Sequence, residues 1–386
     1  MQEDLQKTPE GTIFMAKRKI IAALAAIAMG FTALAGCSAE RPAGSPSAGG
    51  DEPEAGGLIG ITMPTKSLER WNNDGAELDR LLKEAGYTTQ LDYADNKPEE
   101  QVKQLENQIN AGAKVLVIAS IESKALLPTL QKAADAGIKI LAYDRLLMDT
   151  PNVDYYATFD NEKVGTLQGT FIEEQLGLKD GKGPFNLEPF AGSPDDNNAS
   201  LFFKGAWDIL SPYVVDGKLV VKSGKDPKTL ADWTSIGILA WKTETAQSEM
   251  ENRLNSFYGD SKVNAVLSPN DSLALGIAQA LESKGYKTGD DWPLLTGQDA
   301  DVANVKNILA DKQSMTVWKD TRELAKQAAK MVDQIIKGQT VDTNNDTYKN
   351  NTKTVPTYLL DPQTVVKDQV QSVLVDSGFI KADQLQ

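Results

Sequence analysis

The sequence predicts an α/β protein of two Rossmann-like lobes, each built on a parallel sheet. Three observations carry this. From Leu58 onward, apolar runs of strand length alternate with stretches of helical period. Some of those runs are apolar without a break, VLVIAS (115–120) among them, as strands are when helices cover both faces of their sheet. The strand–helix units are also too many for one sheet of ordinary size, whereas 386 residues have room for two or three domains.

The elements follow in order. LIGITMP (58–64) reads as a buried strand, and 68–85 as a helix closed by Gly86. TTQLDYA (88–94) is a strand. Residues 98–110 form a helix with Val102, Leu105 and Ile109 on one face and Gly112 beyond its end. VLVIAS is followed by a helix over 125–136 that stops at Gly137, then by the strand IKILAYD (138–144). After YYATFD (155–160) comes a helix near 161–176. A strand near 185–191 then leads into a helix near 199–211. KLVVKS (218–223), VNAVLSP (263–269) and PLLTGQD (293–299) are further strands, with helices near 246–258 and 273–283. SMTVWK (314–319) precedes a long helix over 322–336. Repeated strand–helix units imply right-handed crossovers and parallel sheets.

The first 57 residues have a different character. Lys17, Arg18 and Lys19 precede IIAALAAIAMGFTALAG (20–36), too short and too rich in small residues for a membrane-spanning helix. A basic start, an apolar core and small residues at the end describe a secretory signal. It closes on Leu-Ala-Gly-Cys, which resembles the bacterial lipobox; that resemblance implies cleavage before Cys37 and lipidation of its thiol. Cys37 is the single cysteine of the chain. Residues 1–14 fit no part of such a signal, and Met15 suits a translation start better. Residues 38–57, rich in Ser, Pro, Gly and acids, read as a flexible tether. The expected location is thus the outer face of the cytoplasmic membrane, with each buried acyl methylene worth roughly 0.8 kcal/mol.

Composition narrows the chemistry. Histidine is absent, which removes Ser-His-Asp and Cys-His nucleophile systems and His-containing metal sites. One cysteine allows neither a redox pair nor a zinc ribbon. A formal net charge of -14 without a basic stripe opposes nucleic-acid binding. No strand is followed by a dinucleotide or P-loop glycine fingerprint, so no cofactor and no metal are expected.

What remains is what stands where strands stop, because ligands of open parallel sheets bind beyond the carboxyl ends of the strands. Lys66, Arg70 and Trp71 follow the first strand. Asp144 and Arg145 follow IKILAY, and Asp196 and Asn198 lie in GSPDDNNA (192–199). Asn270, Asp299 and Lys319 follow three later strands, and Trp241 sits in the loop-like ILAWKTETA. Each has a plainer reading alone. Asp196 and Asn270 suit helix N-caps; Lys66 and Lys319 suit solvated surface; Arg70 suits a helix-surface ion pair; Trp71 and Trp241 suit core. Together they match a monosaccharide. Carboxylates accept from hydroxyls, amides do both, Arg and Lys donate with charge assistance, and an indole covers the apolar face of the ring.

The blocks MPTKSLERW, KVLVIAS, IKILAYDR, YYATFDNEKVG, GSPDDNNA, AVLSPNDSLA, TGQDADV and KDTRELA, in this order, resemble the type I periplasmic sugar-binding proteins of ABC transporters. The nearest group is that of the xylose-binding and multiple-monosaccharide-binding receptors. The resemblance implies two lobes joined by a three-segment hinge. The N-terminal lobe would take 58–160 and about 300–354, and the C-terminal lobe 161–299 and about 355–386. Chain crossings would fall near Phe159–Asp160, Gln298–Asp299 and Val355–Leu360. It implies sugar contacts for Arg70, Asp144, Arg145, Asn198, Asn270, Asp299 and Lys319, ring stacking for Trp71 and Trp241, and polar pocket positions for Asp196 and Lys66. It also implies a monomer that captures xylose or a related aldose and hands it to an ABC permease. The sequence leaves pentose, hexose and sugar acid open. A sensor whose closed form docks on a signalling receptor is one alternative; a glycosidase using Asp144 and Asp299 is another.

Overall fold

The computed structural model describes residues 56–289 and 291–386. The signal, Cys37 and all but the last two residues of the tether lie outside them.

The first lobe is built on β1 (Gly56–Met63), β2 (Tyr87–Tyr93), β3 (Val115–Ile118), β4 (Lys139–Tyr143), β5 (Tyr155–Phe159) and β11 (Thr357–Leu360). These form one sheet in the order β2-β1-β3-β4-β5-β11, and every neighbouring pair is parallel. The two-residue period of the strands sorts the side chains. Val115, Val117, Leu141, Tyr143 and Phe159 face α1 (Glu69–Glu84) and α9 (Thr321–Ile336). Leu116, Ile118, Ile140, Ala142 and Tyr156 face α2 (Pro98–Asn110) and α3 (Ser123–Asp135). Both faces are covered, which is why the central strand β3, VLVI, is apolar and buried at every position.

The second lobe holds β6 (Phe185–Pro189), β7 (Leu219–Val220), β8 (Ala265–Leu267) and β9 (Leu294–Leu295) in the parallel order β7-β6-β8-β9. α4 (Asn161–Leu176) and α5 (Asn197–Val215) cover one face; α6 (Thr243–Phe257) and α7 (Asp271–Ser283) cover the other. β10 (Thr316–Trp318) extends this side through a parallel bridge between Gln298 and Val317, and pairs antiparallel with β12 (Gln363–Val365).

The structure differs from expectation in several places, and the strands expected over 263–269 and 293–299 shorten to Ala265–Leu267 and Leu294–Leu295. Residues 300–318, expected in the N-terminal lobe, pack on the second: Asn304 of α8 (Val302–Leu309) donates to the Asp271 carbonyl at 2.8 Å. Residues 357–360, expected in the C-terminal lobe, add the edge strand β11 to the first sheet, with Thr357 beside Tyr156. The second and third crossings therefore fall at Lys319–Asp320 and Asp361–Pro362. Of KLVVKS, only Leu219 and Val220 are strand. Strand composition fixes that a segment is extended but not which sheet edge receives it.

Candidate functional site

Thirteen residues line a pocket between the lobes: Leu68, Arg70, Trp71, Asp144, Arg145, Asp196, Asn198, Phe202, Trp241, Asn270, Gln298, Asp299 and Lys319. Ten of the eleven residues expected at the site are among them. Lys66 is not. It is exposed, and its ammonium sits 4.9 Å from the centre of the Tyr93 ring. A lysine one residue before the helix-entry turn has a stem long enough to leave the cleft and cover the neighbouring strand, and it takes that course.

Three pocket residues sit on left-handed backbone, as do seven other side-chain-bearing residues among those described. Asp144, Trp241 and Asp299 have φ of 60°, 55° and 100°. For side-chain-bearing residues this region costs roughly 1–2 kcal/mol each, and such residues gather at functional sites. The turn at Asp144 is held by its own carbonyl, which accepts from Tyr156 Oη at 2.6 Å, Thr158 Oγ1 at 3.0 Å and Asn198 Nδ2 at 2.8 Å.

The charged groups form a matched set. Arg70, on the first turn of α1, places Nη2 2.9 Å from Asp144 Oδ1, while its Nη1 lies 3.5 Å from Asp299 Oδ1. Lys319 Nζ lies 2.9 Å from the same Asp299 oxygen. Arg145 donates from Nη1 to the Ser120 carbonyl at 3.0 Å and sets Nε 2.9 Å from Asp196 Oδ2. Three cations thus face three carboxylates. Burial works against the charge on Arg70, and Asp144, Asp74 and Asp299 outweigh it, so its pKa stands well above the ordinary arginine value. Burial would raise Asp144, but Arg70, Lys319 and Arg145 outweigh it and hold that carboxyl below its usual value. Burial raises Asp196, and Arg145 offsets only part of this.

Two residues that line the pocket also cap helices. Asp196 caps α5, its Oδ1 accepting from the Asn198 amide at 2.9 Å, and Asn270 caps α7, its Oδ1 accepting from the Leu273 amide at 3.0 Å. Because the Asn270 oxygen is committed to the helix, its NH₂ is the group it can offer the pocket.

The apolar walls are Trp71, Trp241 and Phe202. The Arg70 and Arg145 guanidiniums lie 4.4 and 5.2 Å from the Trp71 ring centre, and Phe202 meets Trp241 edge-on at 6.3 Å. Both indole N–H groups, and Gln298 Oε1, are buried without a hydrogen-bond partner in the protein. Each such group costs about 1–3 kcal/mol unless something satisfies it. Leu68, Phe202 and Gln298 escaped the sequence reading. Phe202 had a signal, since it stands one helical turn after Asn198 on the same face. Among the described residues there is no group of three or more carboxylates, cysteines or histidines placed to hold a metal ion.

Comparison with known proteins agrees with this geometry. Residues 59–340 match the family described as periplasmic binding protein domain. The multiple sugar-binding periplasmic receptor of Rhizobium radiobacter is 50% identical over 331 residues, 85% of this chain and 92% of that one. The D-xylose-binding periplasmic protein of Escherichia coli is 36% identical over 327 residues, again 85% and 92%. A solute-binding protein of an ABC transporter from Clostridium phytofermentans, solved with bound β-D-glucose, is 50% identical with a TM-score of 0.81 over 85% of this chain and 100% of that one. These relatives are binding proteins of transporters rather than enzymes. With two parallel α/β lobes closing on a cleft of paired charges and indoles, the chain belongs to the type I periplasmic sugar-binding proteins of ABC transporters, in the group of the xylose-binding and multiple-sugar-binding receptors.

Proposed function

We propose that the protein is a monomeric, lipid-anchored receptor that encloses a neutral aldose, of the size of xylose or glucose, and presents it to an ABC permease. The observation that carries this is the pocket itself: three cations balanced by three carboxylates, and two indoles whose N–H groups lack protein partners. A neutral polyol can satisfy such groups by donating to carboxylates and accepting from cations at once. A sugar acid adds a further negative charge to a buried site whose cations already face Asp144, Asp196, Asp299 and, behind Arg70, Asp74, which costs free energy. The names of the relatives, a multiple-sugar receptor and a xylose-binding protein, and the glucose in a solved neighbour, support the same ligand class.

In this reading Arg70, Asp144, Arg145, Asn198, Asn270, Asp299 and Lys319 hold hydroxyls, Asp196 keeps Arg145 in place, and Trp71 and Trp241 cover the ring. The closed form is joined across the cleft by Arg145–Asp196, Arg70–Asp299, and the donation from Asn198 to the Asp144 carbonyl. Sugar drives closure only by the difference between its affinities for the closed and open forms. The test is thermal unfolding of residues 38–386 with a panel of pentoses, hexoses and uronic acids. Neutral aldoses are expected to raise the midpoint and uronic acids to raise it less. A midpoint indifferent to every sugar ends this reading.

A further inference from the structure

Beneath Arg70 lies a carboxylate that does not itself line the pocket. Asp74, one turn along α1, is fully buried, and its Oδ2 accepts from Arg70 Nε at 3.0 Å. Tyr143 Oη donates to its other oxygen, Oδ1, and Tyr143 is itself fully buried at the end of β4. The Arg70 fork is therefore divided. Nε is committed to Asp74, Nη2 lies 3.0 Å from Asp74 and 2.9 Å from Asp144, and Nη1 is the nitrogen turned toward Asp299. A guanidinium is planar, so fixing the Nε edge fixes where Nη1 points.

We propose that Asp74, backed by Tyr143, is a positioning residue for sugar binding: it acts through Arg70, holding that guanidinium so that Nη1 faces the sugar. The proposal rests on the reading of the cleft as a sugar site. It differs from a packing role because the surroundings of Asp74 are otherwise matched for burial. α9 presents Leu324, Ala325 and Ala328 to this core, and β1 presents Ile61 and Met63. The titratable groups that face Asp74 are Arg70 on its own helix, Tyr143 at the end of β4, Asp144 just after it, and Tyr93 of β2, whose hydroxyl lies beside Gly75. Burial raises the Asp74 pKa to about 6, against the pull of Arg70. Below that pH the carboxyl is neutral and its grip on Nε weakens.

Two consequences have opposite signs. Because the folded pKa of Asp74 is raised, its contribution to stability is fully present below about 4 and lost as pH rises through about 6. Sugar affinity, by contrast, falls as pH drops through about 6, because the ionised form is the one that orients Arg70. The experiment is calorimetry with D-xylose and D-glucose from pH 5 to 8 on residues 38–386, the single variants D74N, Y143F and R70K, and D74N combined with R70K. D74N is expected to lose about tenfold or more in affinity at pH 7.5 and to lose the fall in affinity that the parent shows between pH 7 and pH 5. Y143F is expected to lose less, and serves as the variant if D74N does not fold. Lysine has no Nε–H for Asp74 to hold, so adding D74N to R70K should cost under about threefold. D74N with parental affinity, or with the same pH profile as the parent, or with an equal cost in both backgrounds, overturns the positioning role. A parent that binds neither sugar overturns the reading of the cleft instead.

Discussion

Asp299 shows how much a single side chain in the cleft carries. It stands at φ 100° after β9, two residues before the Asp301 N-cap of α8, and its carboxylate lies 2.9 Å from Lys319 and 3.5 Å from Arg70. Lys319 and Asp299 are both buried, so removing the carboxylate leaves a buried ammonium without its partner. Breaking a buried pair in this way costs about 3–5 kcal/mol, more than a hundredfold in affinity if it falls on binding. Asp299→Ala is therefore expected to abolish measurable sugar binding by calorimetry while circular dichroism shows the fold retained. Unchanged affinity would remove Asp299 from the ligand shell. The same reasoning separates Lys66 from the site: exposed and beside Tyr93, it has no buried charge to balance, and its replacement leaves nothing orphaned.

At the scale of elements, the second lobe depends on how closely α4 and α5 cross. A Cβ at Gly165 would stand 1.9 Å from the Phe202 carbonyl oxygen, and one at Gly205 would stand 2.0 Å from that of Glu162. Both obstacles are backbone, which cannot rotate away. The crossing matters to the site because α5 delivers Asn198 and Phe202 from its first turns, and α4 leaves the hinge at Asp160, which caps it by accepting from the Lys163 amide at 3.0 Å. Overpacking of this kind costs typically ~1–3 kcal/mol. Gly165→Ala should lower the thermal midpoint by several degrees and weaken sugar binding with it; a midpoint equal to the parent's would show that the helices can part without penalty. The caps teach a related lesson. Asp196 and Asn270 were open to a capping or a ligand role from sequence, and the structure shows the capping oxygen in each while leaving the rest of the side chain at the pocket.

At the scale of the molecule, the lobes are joined where three segments pass between the sheets, and the cleft lies beside those crossings. Residues from both sheets meet in it, so the site exists only when the lobes face each other. Among the described residues no helix is long and apolar enough to cross a membrane. Retention at the membrane in the proposed reading rests wholly on Cys37, with the stretch to Gly57 as spacer. Cys37→Ser is accordingly expected to move the protein from the membrane fraction to the soluble fraction of cells that express it, with sugar binding intact. A serine variant that stays with the membrane would show that something other than an acyl chain holds it.

The sequence by itself determined the α/β class, the beat of strands and helices, and the strand ends at which polar residues collect, because period and strand-end position are local properties of the chain. Ten of the eleven candidate residues line one pocket for that reason. Tertiary structure alone decided the rest. It placed 300–318 on the second lobe and 357–360 at the edge of the first sheet, since a strand's partner is chosen by what else is free to pair with it. It sent Lys66 out of the cleft, brought Phe202 and Gln298 in, and set Asp74 under Arg70. Those outcomes depend on which faces meet across tens or hundreds of residues, and no period along one segment encodes them.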